Sequence, residues 1–599
     1  MAGETLNAVV TKVTIKGEEQ KFVELELHQK FNAHHTFTVI VNYLSPKNTF
    51  QQDPNKFIQY IGESINIVFS HKKTGETNEF NGTITQVEMI GSEGETGGVA
   101  IHGYSPTILY ENNKTLNSWT DKTLKAIADE AKAGIPFGLT CKPLYLTKIP
   151  YIAQYKETVF NFLNRLSFIY GEWFYYDGKQ LFFGNPNNNT TEKIVYDIDL
   201  FEVRLIANLV PGKYTGFGYK PKDGDEWMEK DPSKPSLNEY QAKAHGQSEK
   251  YYPVASFLSA DSHSVDENEL KIQMDAVKKM SVPRLVNIQG TGKTCRVRIG
   301  EIIDVSFPPS MNLSPLGTYR VTEITHIVNR DGHYCSRFIG IPSASECIPM
   351  HEVPQPVALP ELAVVTSNED EKKWGRVQVE LDWQKKIGKK TNWIRVQSTN
   401  AGSSDKVPSN RGYMFVPEKG DRVMINYEQG DPSRPYVGGV VYTSKTGKGG
   451  DVNNKIKSIT TRSGSSIVFD DEEGCIVITD QTGEDMIVID GKDSITVKAT
   501  KSITLTNGDS TICIDEKKIG IMAEEIAISA SKVLYLNSKE QQVTIVGDSG
   551  ISGAGDNISM KAGTAMELTA PEGSISTSNL VIEGSAEVDI TGGLVKVNS

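Results

Sequence analysis

Gly547-Asp-Ser-Gly550 has the make-up of a segment that carries a serine nucleophile. Such a serine needs a base to take its proton, an acid to orient the base, and backbone donors for the oxyanion. No histidine occurs after His351, and the run lies among repeats where turns of this composition recur, so a turn is expected. Gln289-Gly-Thr-Gly-Lys-Thr294 imitates a loop whose backbone N–H groups cradle phosphate at a helix start. Asn287 stands where that loop needs its first glycine, and the run leads into Cys295-Arg-Val-Arg-Ile299, which reads as a strand. A hairpin turn is the expectation. His326, His333 and Cys335 have ligand-type side chains on neighbouring strands, but zinc needs a fourth ligand or an open position. His34-His35 has no third ligand at metal spacing and is expected to be a solvated strand end. Asp470-Asp471-Glu472-Glu473 could suggest glycoside cleavage, but that chemistry needs carboxylates facing each other across a cleft. Four acids in one turn read as a solvated loop. The sequence therefore predicts no catalytic residue, no cofactor and no metal site.

The elements around these residues explain why. Ser494–Ser599 is a run of short apolar strands stepping every seven or eight residues. The strand residues expected to form the core of the needle are Ile495, Val497, Ile503, Leu505, Ile512, Ile514, Ile519, Ile521, Ile526, Ile528, Val543, Ile545, Ile558, Met560, Val588 and Ile590, with further strands at Val533–Tyr535, Met566–Leu568 and Val595–Val597. Gly, Asn, Asp, Ser and Lys fill the gaps as turn residues. A fixed period at this scale dictates architecture. Burying one Ile or Val contributes about 1.5–3 kcal/mol, while ordering a residue costs roughly 1–2 kcal/mol of backbone entropy. One seven-residue unit cannot hold itself, so the strands must stack and cover their edges. A single-chain solenoid would need a wide core of bulky side chains. Only Phe469 and Tyr535 are aromatic after residue 455, and so thin a core favours three chains wound round one axis.

The length of 599 residues suggests about four domains. A net charge of −12 leaves no basic footprint for nucleic acid. The N-terminus, Met1-Ala-Gly-Glu-Thr5, lacks a basic and an apolar region, so no signal peptide is expected. No apolar run is long enough to span a membrane. The six scattered cysteines, without a Cys-x-x-Cys, read as reduced thiols of a protein made in the cytoplasm.

In chain order, residues 1–110 alternate as the strands of an antiparallel barrel, including Phe22–Glu26, Thr36–Val41, Ser64–Phe69, Glu79–Val87 and Val99–Tyr104. Residues 111–199 are helical with a hairpin. One helix is capped in Ser118–Asp121 and stopped by Gly134; another starts near Glu157 and ends at Gly171; the hairpin turns at Asp177-Gly178. Residues 200–346 form a second barrel, with strands at Leu205–Leu209, Thr294–Ile299, Ile302–Phe307, Thr318–His326 and Tyr334–Gly340 and a helical piece Glu267–Lys279. Residues 347–361 are a Pro-rich linker. Residues 362–445 carry five or six short strands, which suits an OB barrel. Residues 446–493 are a joint, flexible at Gly447–Gly450, with lead-in strands, and 494–599 are the needle. The fold class expected is mainly β: a hub of two antiparallel β-barrel regions with a few helices, an OB-fold barrel, and a C-terminal intertwined trimeric β-helix, or β-prism, as needle.

Gln154-Tyr-Lys-Glu157, Phe162-Leu-Asn-Arg-Leu166 and Gly171-Glu-Trp-Phe174 resemble the hub segment of the VgrG family, the spikes of type VI secretion. Gly375-Arg-Val-Gln-Val379, Trp393-Ile-Arg-Val396, Gly420-Asp-Arg-Val423 and Glu428–Pro435 resemble that family's OB barrel. Ser463-Gly464 with Ile467–Asp471 is similar to the lead into its needle. The resemblance implies a structural homotrimer similar to the hub and spike of contractile phage tails. It implies an Hcp-like tube protein under the hub and surrounding baseplate proteins. A PAAR-like tip protein would sit on Val595, Lys596, Val597, Asn598 and Ser599. Effectors would ride on the spike, which would be assembled in the cytoplasm, exported on contraction and in only transient touch with a target membrane. The rival readings are a phage-tail or extracellular injection-particle spike with cell-wall-degrading activity, and a carbohydrate-binding adhesin, which exposed aromatics in the repeats would have supported.

Overall fold

Alternation in Val9–Ile15, Phe22–Lys30 and Thr36–Val41 puts every second side chain on one face, and Val13, Ile15, Leu25, Leu27, Val39 and Val41 are buried there. The computed structural model describes residues 9–41, 58–92, 95–185, 190–220, 226–259, 267–349, 351–447, 452–585 and 587–596. Contacts divide the chain into two units, Met1–Lys448 and Gly449–Ser599.

The first unit is organised by a thirteen-stranded sheet. Its N-terminal part runs Phe22–Lys30, Thr36–Val41, Glu95–Tyr104, Thr77–Ser92, Ser64–His71, Val9–Ile15, all antiparallel neighbours. Gly317–Val328 then pairs with Phe22–Lys30, Val328 standing opposite Leu25 and Glu323 opposite Lys30. That ladder joins the two β-rich regions into one sheet, and Cys295, Val328 and Tyr334 are buried in the same core as Leu25 and Phe80.

Three local expectations are corrected. Ser118–Asp121 is not a helix cap: Thr115–Thr123 is a strand paired with Lys148–Glu157, and the cap of helix Leu124–Ala131 is Thr123, whose hydroxyl accepts from Ala126 N. The glycine-rich run 289–292 is not a turn but part of the strand Val286–Gly292, paired on both sides. Its glycine has a steric cause, since a Cβ on Gly290 would lie 2.5 Å from the Phe338 ring. Thr294–Ile299 is no strand; it is pinned by Arg296, which pairs with Asp199 (2.5 Å) and Glu192 (2.8 Å).

Helix Val159–Tyr170 follows its apolar stripe, with Thr158 as cap and Gly171 left-handed at its end. It packs against the hairpin Phe174–Tyr176/Leu181–Gly184, whose turn is held by Asp177 Oδ1 accepting from Lys179 N and Gln180 N. Helix Glu239–Tyr251, opened by an Asn238/Gln241 capping box, went unread in the sequence because its apolar stripe is weak.

In the OB barrel the strands run Gln378–Leu381, Glu361–Ser367, Arg422–Tyr427, Pro435–Val440, around Val365, Val379, Val423 and Val437. Asn392–Gln397 contributes only the bridges at Ile394 and Val396, and Gly412–Val416 only the pair Gly412–Ala401, instead of full strands. The preceding linker is tied at both ends: Cys347 and Ile348 are buried, His351 meets Asn164, and Ala358 N donates to Gly430 O.

The second unit holds two antiparallel meanders, 456–498 in five strands and 502–522 in three.

Candidate assembly surface

Register sorts the apolar residues of the second unit into rows. In the five-stranded meander, Ile459, Ile467, Ile478, Ile487 and Val497 stand opposite one another across successive ladders. Phe469, Ile476, Ile489 and Ile495 form the next row on that face. In the three-stranded meander the rows are Ile503–Ile514–Ile519 and Leu505–Ile512–Ile521. The opposite face of the second meander carries Thr504, Cys513 and Gly520. Two-residue periodicity makes the three-stranded meander one-sided, whereas the opposite face of the five-stranded one carries Val468, Val477 and Val488 between Ser458 and Thr496.

Among the described residues of 452–596 none is buried. Ile495 is 70 % exposed and Ile519 68 %. Strands Ile495–Lys498, Ser502–Asn507, Ser510–Asp515 and Ile519–Met522 lie where the period puts them. Beyond Met522 the expected strands at Ile526, Ile528, Val543, Ile545, Ile558, Met560, Val588 and Ile590 form no ladder among the described residues, and these side chains are exposed. The ladders 456–522 close by folding back on neighbours in the same chain, whereas these later residues meet no such neighbour. Val595 and Lys596 are exposed; Val597, Asn598 and Ser599 lie outside the described residues, as does most of the Gly447–Gly450 joint.

The polar constellations resolve into structure. His34 and His35 are not a solvated strand end. His35 is fully buried; its Nδ1 accepts from Gln29 Nε2 (3.1 Å), its ring packs on Tyr176, and burial lowers its pKa to about 3. His34 Nε2 donates to Glu111 Oε1 (3.2 Å) and its Nδ1 accepts from Thr107 Oγ1 (2.7 Å). His34 holds the Glu111 carboxyl below the usual range. Acid, base and hydroxyl stand in catalytic order, but Thr107 is fully buried and bonded to Ser105 (2.6 Å), so the hydroxyl ties the turn and reaches no substrate. His326 and Cys335 are not brought together. His326 stands opposite Ser336, so Cys335 points to the other face of the sheet, and His333 is exposed in the turn. His326 is fully buried against Phe69 (4.7 Å), its Nδ1 lies in hydrogen-bond contact with the Tyr334 hydroxyl (2.7 Å), and burial lowers its pKa to about 3. Asp470 caps its own turn, accepting from the backbone of Glu472 and Glu473. Asp471 and Glu472 pair with Lys457 and Lys455.

Sequence reasoning missed the seat of the OB barrel on the ribbon 115–157. Gln384, fully buried, donates to Ser118 Oγ (2.8 Å) and Tyr151 OH (3.1 Å). Lys389 Nζ donates to Ser118 O (2.6 Å) and lies 4.6 Å over the Trp119 ring. Asn392 reaches Pro150 O, and Ala153 N donates to Ser433 Oγ. The Glu428–Pro435 motif was visible, but only the fold shows that its serine, Ser433, receives the ribbon.

Residues 35–332 match the family model of the phage tail baseplate hub, and residues 361–442 that of the type VI secretion system/phage-baseplate injector OB domain. The type VI secretion system spike proteins VgrG1c and VgrG1a of Pseudomonas aeruginosa are 24% and 25% identical over 339 and 334 residues, 49% of this chain in each case. The matches cover 43% and 48% of those proteins, so the chain spans less than half the length of these curated relatives. Among solved structures, the lidded Francisella PdpA-VgrG complex has a TM-score of 0.52 at 11% identity, covering 82% of this chain and 80% of that one, a likeness of fold.

Proposed function

As a chain of the VgrG spike-protein family, with baseplate-hub and injector-OB modules in that family's order, this protein is, we propose, the homotrimeric spike of a contractile injection apparatus. Its work is mechanical rather than catalytic. The observation that carries the reading is the uncovered apolar face of the second unit. Folded strands expose Ile478, Ile487, Ile489 and Ile514 at 40–41 % and Ile495 at 70 %. A sheet of that kind in water needs its apolar face removed from solvent. Three copies turning these faces inward form a prism in which each sheet covers the other two. Bending such a prism breaks ladders in three chains together, which suits a part loaded along its axis.

On this reading 1–346 is the hub, 347–361 the linker, 362–445 the OB barrel, 446–493 the joint and 494–599 the needle. The hub rests on a ring-forming tube protein within a baseplate, Val595–Ser599 meet a tip protein, and effectors travel with the spike. The apparatus is loaded from the cytoplasm and the spike leaves on contraction. Solution mass tests the core of this. A trimer has three times the chain mass of 66.0 kDa, and a stable, well-folded particle of 66.0 kDa would end the reading.

A further inference from the structure

We propose that residues 399–415 of the OB barrel form an arm that clasps the OB barrel of a neighbouring copy, packing Tyr413 and Phe415 on the Val440–Tyr442 end of that neighbour's last strand. The inference rests on the trimer reading above and adds to it a second interface outside the needle. Every residue from 399 to 415 is exposed. The arm is shaped by local hydrogen bonds and not by packing. Ala401 pairs with Gly412 and Gly402 with Arg411; Ser398 Oγ donates to Tyr413 O (2.9 Å); Arg411 reaches Ser403 O (3.2 Å) and Asn400 Oδ1 (3.1 Å). Met414 leans over Gly375, where an added Cβ would meet its Cε at 3.3 Å. That fixes the base of the arm and leaves Tyr413 and Phe415 exposed by 58 % and 62 %. Two aromatic rings bury some 150–250 Å² each when covered, and a shaped loop that carries them uncovered is built to meet a surface.

The same barrel offers a second, different apolar patch: Val440, Val441 and Tyr442, the last 83 % exposed. A closed ring of three identical chains joins head to tail, so each chain must carry two unlike, complementary patches. The arm and the strand end are such a pair. The tether favours them. Tyr442 is separated from the first strand of the second unit, Ile456–Thr460, by 13 residues. At ~3.3–3.6 Å per residue they span at most about 50 Å. Needles wound together therefore hold three OB barrels at an effective concentration on the order of mM, where a small patch suffices.

The test is a paired-cysteine cross-link in the full-length trimer, with Phe415→Cys and Val440→Cys combined and each alone as control for the native thiols. A short bismaleimide is expected to give covalent trimers in the double variant well above either single variant. If the double variant sediments as a trimer and cross-links no more than the single ones, the clasp is wrong while the trimer stands. If it sediments as a single chain, the trimer reading falls and takes the clasp with it.

Discussion

Arg165 grips Glu157 through two hydrogen bonds, Nη2 to Oε1 at 2.6 Å and Nε to Oε2 at 3.2 Å, with both side chains almost wholly out of solvent. The pair joins a strand end to the helix that follows it. Arg165 also donates to Ala153 O (2.9 Å), and Gln154 Nε2 donates to Glu157 O (3.2 Å). Gln154–Glu157 and Phe162–Leu166 are two separate stretches of sequence, and this ion pair is what makes them one structural piece.

Arg165→Ala should destabilise the first unit by roughly 3–5 kcal/mol, because it leaves the Glu157 carboxylate buried without its partner. A double variant Arg165→Met/Glu157→Gln, which removes both charges, should recover much of that loss. Denaturant midpoints of the three proteins check it. An Arg165→Ala midpoint equal to that of the unsubstituted protein would show the pair to be structurally idle.

Acid should loosen the first unit through two of its buried histidines. His35 and His326 are buried neutral, with pKa values lowered by burial from 6.5 to about 3. Between those values the unfolded chain binds protons that the folded chain refuses, so stability is full above the unfolded value and falls as pH drops through the window. His326→Phe, which keeps the stack on Phe69, should flatten the fall in unfolding midpoint between about pH 7 and about pH 4.5. An unchanged slope in His326→Phe and in His35→Gln would assign the acid response to other groups.

Gln384→Leu should loosen the OB barrel from the ribbon it sits on. The substitution removes a donor from Ser118 Oγ and from Tyr151 OH, which keep only each other across the interface, and takes the acceptor from Leu381 N. Each buried polar group left without a partner costs about 1–3 kcal/mol. Amide exchange in 115–123 and 148–157 should speed up while the barrel's own core, Val379 and Val423 among it, stays protected. Exchange rising equally throughout the barrel would mean that Gln384 serves the barrel's fold and not its seat.

Ile487→Asp should abolish the trimer, and Thr496→Asp should leave it intact. Ile487 lies in the apolar row with Ile478 and Val497, while Thr496, one residue from Val497, faces the other way. A charge on the inward face would be desolvated three times over at the axis. Sedimentation of the two variants decides it, and equal masses for both would remove the face argument.

Some of this was open to reading before any fold was known. The helix after Glu157 announced itself by its stripe and by Gly171, and the strands at Ile495, Ile503, Ile512 and Ile519 by their step. These signals are local: the residues that carry them are within a few positions of one another. The histidine pair, the glycine run and the strand at Thr115–Thr123 misled because their meaning lies in distant partners. Gly290 is glycine because of Phe338, and His35 is dry because Gln29, Phe80 and Tyr176 surround it.

The sequence by itself determined the step of the strands at Ile495, Ile503, Ile512 and Ile519, since side-chain alternation along a strand is a property of neighbouring residues. Only the tertiary structure decided which polar groups went dry and which strands became neighbours. Leu25 meets Val328 across three hundred residues of chain, and a pairing of that range is set by which faces can be buried together, a quantity no short stretch of residues carries.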